Sequence, residues 1–353
     1  MCDMNRRDFL AGSLGFLSVA AEAELMAGES PGDRSEADVA DRVASDVYFH
    51  AGQVSTTADA VCNNGWIILD DYVLVIDANY PAGAKKILRG IRAVTDKPIR
   101  FAFDSHHHGD HVYGNQVFVE NGAVPIAHTG VIEEMKRYET GYYDGKPGAW
   151  EATAKDRADV RSSKLKPPSL LFPRELFFDD GKHRIELMHL GVAHTHGDAV
   201  AWLPQERILF TGDVCVNGPY NYVGDGDVAQ WIQTLDAARK LGAKVVCPGH
   251  GARSTGAVLE DQQVFFKALR ENVGSLIAPK TPEEAKPLVE PLRATLRANA
   301  QIARFVGERG AGWDPFPAQV AKVYAELTGK QLAALPEGPH HARLVHARAH
   351  GRA

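Results

Sequence analysis

Between Ser105 and His250 the chain places metal-binding side chains at four separated stations, and any fold it adopts has to bring those stations together. The first is the run Ser105-His-His-His-Gly-Asp-His111. It is followed by His194 in Ala193-His-Thr-His-Gly-Asp198, Asp213 in Phe210-Thr-Gly-Asp213 and His250 in Pro248-Gly-His-Gly251. Imidazole and carboxylate donors suit zinc, iron and manganese. One catalytic zinc takes about three protein ligands plus water. The candidates His106, His108, Asp110, His111, His194, Asp213 and His250 therefore suffice for two ions that share a carboxylate. In an extended or turning segment, residues at i and i+2 project to the same side. His106 and His108 can then hold one ion together while His107 points away. The Gly109-Asp110-His111 turn can aim at a second ion, and a carboxylate such as Asp213 can bridge the two. A lone histidine usually just completes a core or a surface, and consecutive histidines can be a low-complexity tract. A run interleaved with Gly and Asp, and echoed by three remote stations, is better explained by ligation.

The segments that lead into the stations read as strands. Residues 47–53, 60–69 and 72–77 alternate β-branched with polar side chains, and Asp70-Asp71 is the hairpin turn between the last two. Residues 82–94 carry Ala84, Ile87, Leu88, Ile91 and Val94 at helical spacing, and residues 99–103 form the strand that delivers the histidine run at its carboxyl end. The device repeats: 184–189 leads to His194, 208–211 to Asp213 and 244–247 to His250. Helical periodicity over 131–138, 228–241 and 255–273 fills the intervals. The expectation is an α/β fold with two mixed sheets sandwiched between helices. Residues 142–173, with Trp150, Lys164, Lys166 and Pro167-Pro168, read as a long inserted loop, a lid or mobile surface. From about Thr281 to Leu335, with Pro282 at a helix start, the chain reads as a helical C-terminal appendage packing against the core.

The order His-x-His-x-Asp-His, Gly191-x-x-His-Thr195, Phe-Thr-Gly-Asp213 and Pro-Gly-His-Gly resembles the metallo-β-lactamase superfamily of hydrolases, over roughly Val47 to Val273. The resemblance implies the four-layer αββα sandwich. It assigns His106, His108 and His194 to one ion, Asp110, His111 and His250 to the other, and the bridge to Asp213. It also discriminates within the superfamily: β-lactamases carry Cys or Ser where this chain has Asp213, whereas glyoxalase II and acyl-homoserine lactonases have Asp. The expected activity is thus a dinuclear metal-dependent hydrolase cleaving an ester, thioester or lactone through a hydroxide bridging two divalent ions. Zinc is the expected metal, with iron or manganese suited to the same donors. Asp110 is expected both to ligate and to orient that nucleophile, and Tyr220 in the Gly218-Pro219 loop to donate to a developing oxyanion or simply to pack. His107 and His196 are candidates for partners of ligands or proton shuttles, and Asp198 for orienting a ligand histidine. Two alternatives stand beside this reading: a periplasmic β-lactam hydrolase, and an exported metal-binding or redox accessory protein.

Composition agrees with a globular enzyme: 353 residues, 44% hydrophobic, 24% charged, with 39 basic and 45 acidic residues giving a net charge of -6. That balance offers nothing to nucleic acid; the expected partner is a small-molecule substrate, and the oligomeric state stays open. Asn5-Arg-Arg-Asp-Phe-Leu10, an apolar run from Phe9 to Ala21 and the small-x-small site Ala21-Glu-Ala23 look like a twin-arginine export signal. The expected organisation is a signal peptide over 1–23, a linker over 24–45, a catalytic domain over 46–275, helices over 276–335 and a basic, disordered tail over 336–353. The mature enzyme is expected in the periplasm without a membrane anchor. The tail, with His340, His341, His346 and His350, is read as a frayed terminus. Cys62, Cys215 and Cys247 form an odd set without paired spacing, and no Cys-x-x-Cys occurs.

Overall fold

The computed structural model describes residues 40–53, 61–307 and 314–332. The segment read as a signal peptide, most of the stretch read as a linker and the histidine-containing tail lie outside them.

Alternation does most of the folding work. Strands β1 (Asp41–Ala44), β2 (Val47–His50), β3 (Asn64–Ile68), β4 (Val73–Ile76), β5 (Ile99–Asp104), β6 (Val124–His128) and β7 (Leu170–Phe172) form one sheet in that order. The pairs β4–β5, β5–β6 and β6–β7 are parallel, and the earlier pairs are antiparallel. A second sheet has the order β12-β11-β10-β9-β8, from β8 (Glu175–Asp179), β9 (Arg184–Met188), β10 (Val200–Leu203), β11 (Ile208–Gly212) and β12 (Val245–Pro248). Ile67, Leu74, Ile76, Phe103 and Ile126 of the first sheet meet Ile185, Leu187, Ala201, Ile208 and Phe210 of the second in one buried layer. Their neighbours in sequence, Trp66, Ile68, Val73, Val75 and Ala102, point outward under helix α1 (Pro81–Arg92). Both faces are covered, so the central strands are almost uninterruptedly apolar.

Short helices α2 (Gly109–Val112) and α3 (Asn115–Glu120) follow the histidine run, and α4 (Thr129–Tyr138) follows β6. Helices α8 (Val228–Lys240) and α9 (Ala257–Asn272) cover the second sheet, completing the α/β/β/α layering. The C-terminal region adds α10 (Pro282–Ala285), α11 (Val289–Arg297) and α12 (Phe316–Thr328) to that same outer core: Leu292, Phe316, Val320 and Val323 are packed with Trp231 and Phe266.

Two expectations need correction. The inserted stretch 142–173 is not mainly loop: it carries the end of α5 (Thr140–Tyr143), all of α6 (Ala149–Asp156) and α7 (Ala158–Arg161), and the edge strand β7. Its helices are short and none of α5 or α6 is fully buried, so there was little periodicity to read. The linker read over 24–45 also ends too late, because β1 lies within it, paired to β2. Among the described residues, no helix is long and apolar enough to cross a membrane.

Candidate metal centre

All four stations meet at one rim of the sandwich, each on the carboxyl side of a strand. β5 ends at Asp104 and is followed directly by Ser105 and the histidine run; β11 runs into Asp213 and β12 into His250, and the turn after β9 carries His194. His106, His108 and His194 present ligand atoms to one another, as do Asp110, His111 and His250, and Asp213 joins His106 and His111.

In the first group, His108 Nδ1 lies 3.2 Å from His106 Nε2 and 2.8 Å from His194 Nε2. Nitrogens bound about 2.0–2.1 Å from a common tetrahedral ion sit about 3.3 Å apart. The remaining nitrogen of each ring is engaged elsewhere. His194 Nδ1 donates to the Tyr222 carbonyl (2.8 Å), His108 Nε2 to Asp225 (3.0 Å) and His106 Nδ1 to Ser105 Oγ (3.1 Å), whose own proton goes to Asp77. A carbonyl or carboxylate can only accept, so in the neutral rings the three converging nitrogens all carry lone pairs. Three lone pairs facing one another cannot satisfy each other, whereas a cation among them satisfies all three. Burial, helped by neighbouring imidazoles, holds His106 well below its ordinary pKa and His194 down to about 3, so both rings are neutral and able to ligate at pH 7. For His108 burial acts downward as well, but the carboxylates of Asp225, Asp110 and Asp213 together outweigh it and the ring is raised.

The second group is assembled differently. His250 Nε2 lies 3.3 Å from Asp110 Oδ2, and His111 Nε2 3.8 Å from it. Asp213 Oδ2 is 3.5 Å from both His194 Nε2 and His250 Nε2, while Oδ1 is 3.5 Å from His111 Nε2. One carboxylate therefore spans both groups. Its Oδ1 and His111 Nε2 are buried without a hydrogen-bond partner among the described residues. Orphaned buried polar atoms are costly, and these two aim where a second ion would sit. The donor set fits two divalent ions. Against burial, which pushes the carboxyl of Asp213 up, the rings of His250, His111 and His194 hold it below its ordinary value and so keep it ionised.

Local backbone explains why these sequences deliver these atoms. Asp77 follows β4 with a left-handed φ of 59°, a conformation that side-chain-bearing residues adopt at a cost. There its carboxylate accepts from Ser105 N (2.8 Å), Ser105 Oγ (3.0 Å) and His111 Nδ1 (2.9 Å), fixing both ends of the histidine run. Gly249 precedes His250 because a Cβ at that position would overlap the Asp213 carboxylate. Asn63 grips the same turn, donating Nδ2 to the carbonyls of Pro248 (2.7 Å) and Gly251 (2.8 Å).

His107 is turned away from both groups and stacks on Tyr138 at 5.2 Å between ring centroids, and the Tyr138 hydroxyl donates to Asp225 (2.6 Å). Tyr220 packs beside His250, ring centroids 5.9 Å apart, at the second group. His196 is exposed. Asp198 does not orient a ligand: its carboxylate accepts from Thr195 N and Oγ1 (both 2.7 Å), and its carbonyl accepts from His189. It braces the turn that carries His194 instead. Cys62, Cys215 and Cys247 are all buried thiols. Cys62 lies against His111, and burial pushes it up to about 12, so it stays protonated.

Sequence reasoning missed Asp77, Ser105, Asn63, Tyr138 and Asp225. Asp77 carried a signal, since it ends an apolar strand as the ligands do. Asp225, in an irregular Gly-Asp-Gly turn, carried none.

Comparison with known proteins follows the same lines. Residues 58–250 match the family model described as the metallo-beta-lactamase superfamily. Among curated proteins, 2,4-dinitroanisole O-demethylase subunit alpha of Nocardioides sp. (strain JS1661) is 26% identical over 202 residues, 56% of this chain and 55% of that subunit. Metallo-beta-lactamase type 2 of Bacteroides fragilis is 38% identical over 72 residues, 19% of this chain and 29% of that protein. The chain thus spans about half the length of the first of these relatives and less of the second. Among solved structures, a metallo-beta-lactamase from Pontibacter korlensis superposes with a TM-score of 0.51 at 18% identity, covering 65% of this chain and 98% of that one, which is a likeness of fold.

Proposed function

Because the chain belongs to the metallo-β-lactamase superfamily, we propose that it is a dinuclear metal-dependent hydrolase acting on an ester, thioester or lactone. The observation that carries this reading is Asp213, one carboxylate within 3.5 Å of histidines from both groups. Two divalent cations held there would lower the pKa of a water between them towards neutrality and polarise the scissile carbonyl. The chain supplies the rest. Asp110, part-exposed on the open side of the second group, accepts a hydrogen bond from the attacking water and orients it. The water oxygen bonds to the acyl carbon, the bond to the leaving oxygen or sulfur breaks, and the water's proton passes by way of Asp110 to the leaving group. Tyr220, beside His250, offers its phenol to the oxyanion that develops on the carbonyl.

A second reading, β-lactam hydrolysis, is favoured by the Bacteroides fragilis relative and by the fold likeness. Aspartate at position 213 weighs against it, because the sequence resemblance places Cys or Ser there in β-lactamases. The O-demethylase relative carries the name of an ether-cleaving enzyme, so the leaving group is the property to test. The proposal also includes zinc as the metal, a small-molecule substrate, and export to the periplasm by the twin-arginine route, supported by Asn5-Arg-Arg-Asp-Phe-Leu10.

The test is a hydrolysis panel on metal-loaded protein with a lactone, a thioester, an aryl methyl ether and a chromogenic β-lactam. Lactone or thioester turnover leading the panel supports the proposal, and a β-lactam rate far above both sinks it. Cell fractionation of the Arg6→Lys, Arg7→Lys variant checks export: the unaltered protein is expected in the periplasm and the variant in the cytoplasm.

A further inference from the structure

Residues 218–227 have no regular secondary structure, yet they supply two of the three anchors of the first ligand group. The Tyr222 carbonyl fixes His194, and the Asp225 carboxylate fixes His108. A segment with no hydrogen-bonded ladder of its own takes its shape from what it packs against. Here much of that surface is the C-terminal helix α12. Gln319, fully buried, donates Nε2 to the Asn221 carbonyl at 2.7 Å, one residue before Tyr222. About two turns further along α12, Glu326 Oε1 accepts from Val228 N at 2.9 Å, and its other oxygen is paired with Arg270 at 2.5 Å. Val223, between these two points, is buried in the same apolar cluster as Phe316, Val320 and Val323. The helix thus holds the segment at Asn221, at Val223 and just past its end at Val228. The second group has other supports, Asp77 for His111 and Asn63 for the His250 turn.

We propose that Gln319 and Glu326 are positioning residues through which the C-terminal helix sets the geometry of the first ligand group, whereas His111 and the His250 turn are held from elsewhere. The inference rests on reading that group as a metal site. The helical region is then a working part of the metal centre as well as packing for the sheet. A neutral buried amide and a half-buried carboxylate are suited to this: each has a backbone group as partner, so removing either leaves that group unsatisfied and lets the segment shift.

The experiment isolates each group in the full-length chain. His250→Ala keeps the first group and His108→Ala keeps the second, and each background is titrated with Co2+ while its visible absorption is recorded. In the His250→Ala background, Gln319→Met, similar in volume but without the amide donor, is expected to weaken Co2+ binding about tenfold and to shift the absorption bands. In the His108→Ala background the same substitution is expected to change neither. Glu326→Met carries the same expectation and decides the matter if Gln319→Met does not fold. Tyr324→Phe is the control, since it removes the α12 bond to the Lys280 carbonyl (3.2 Å); it should lower thermal stability without moving the bands. Unchanged affinity and bands in the first-group background overturn the proposal while leaving the two-ion reading intact, and equal weakening in both backgrounds also overturns it. Failure of the otherwise unaltered chain to bind Co2+ overturns the two-ion reading and this inference with it.

Discussion

The two ligand groups sit side by side yet are built to different standards of rigidity. In the first, every ring has its outer nitrogen anchored: His106 on Ser105, His108 on Asp225, His194 on the Tyr222 carbonyl. In the second, His111 is held by Asp77, but His250 Nδ1 is buried with no hydrogen-bond partner among the described residues, and Asp110 is part-exposed. An anchored imidazole has its tautomer and orientation fixed before an ion arrives, and less ordering remains to be done on binding. The difference teaches that the three-histidine group should bind first and release last, with the carboxylate-containing group the exchangeable position beside the substrate. Stepwise chelation of the loaded protein, followed by metal analysis, is expected to remove one ion well before the second; simultaneous loss would break the comparison.

The largest effect should come from the residue common to both groups. Asp213→Ala is expected to lose about one ion per chain and to lower kcat by a factor of about 10³ or more, checked by metal content and turnover together. Unchanged stoichiometry would refute the bridge.

Next in size is a contrast between two buried carboxyls. Asp225, beside the first group, is pushed up by burial, but His108, His107 and the Tyr138 hydroxyl together outweigh this and hold it well below its ordinary value. Glu139, where the inserted helices begin, is raised from 4.5 to about 7 by burial, although the Tyr113 hydroxyl and Trp150 N both bond to it. A carboxyl raised on folding contributes stability that is complete below pH 4.5 and is lost as the pH climbs through 7. The stability of Glu139→Gln relative to the unaltered protein is therefore expected to improve by at most about 3 kcal/mol between pH 4.5 and 8, measured by denaturant unfolding at several pH values. A difference that does not change with pH would show that Glu139 is already ionised throughout.

Smaller effects sharpen the anchoring argument itself. Asp225→Asn is expected to weaken the first ion about 10- to 100-fold with the second unmoved, read by the competition of a chelating dye. Tyr138→Phe, which removes only the donor to Asp225, should weaken it about fivefold, the equivalent of one ordinary hydrogen bond.

How much of this was legible in the sequence follows from the range of the forces involved. The ligands could be read because His106, His108, Asp110 and His111 are set by local spacing, and each remote station follows a strand whose apolar run is itself a local signal. The αββα layering followed from the same strands. Their anchors were harder. Asp225 and Tyr138 are 87 residues apart, and His108 and Asp225 117, and no periodicity announces a contact of that kind. Asp198 misled for a related reason: its place near His194 in sequence suggested service to the ring, whereas the turn folds its carboxylate back on Thr195. The inserted helices escaped notice because they are short and half-exposed, with proline and charge dominating the stretch.

The four stations do not come from one sheet. His106, His108, Asp110 and His111 leave the end of β5 in the first sheet, and His194, Asp213 and His250 leave strands of the second. Each ion would therefore be a rivet driven through the sandwich at one rim, where the apolar filling between the sheets gives way to polar side chains. Metal binding should then be felt as mechanical closure: the loaded chain resists heat by RT ln(1 + [M]/Kd) more than the stripped one. Stripping it should open amide exchange first at the strand ends around Asp104 and Gly212, far from the opposite rim, where Asp70 N on Asp180 (2.8 Å) and the Lys182–Asp46 pair join the two sheets besides their shared core.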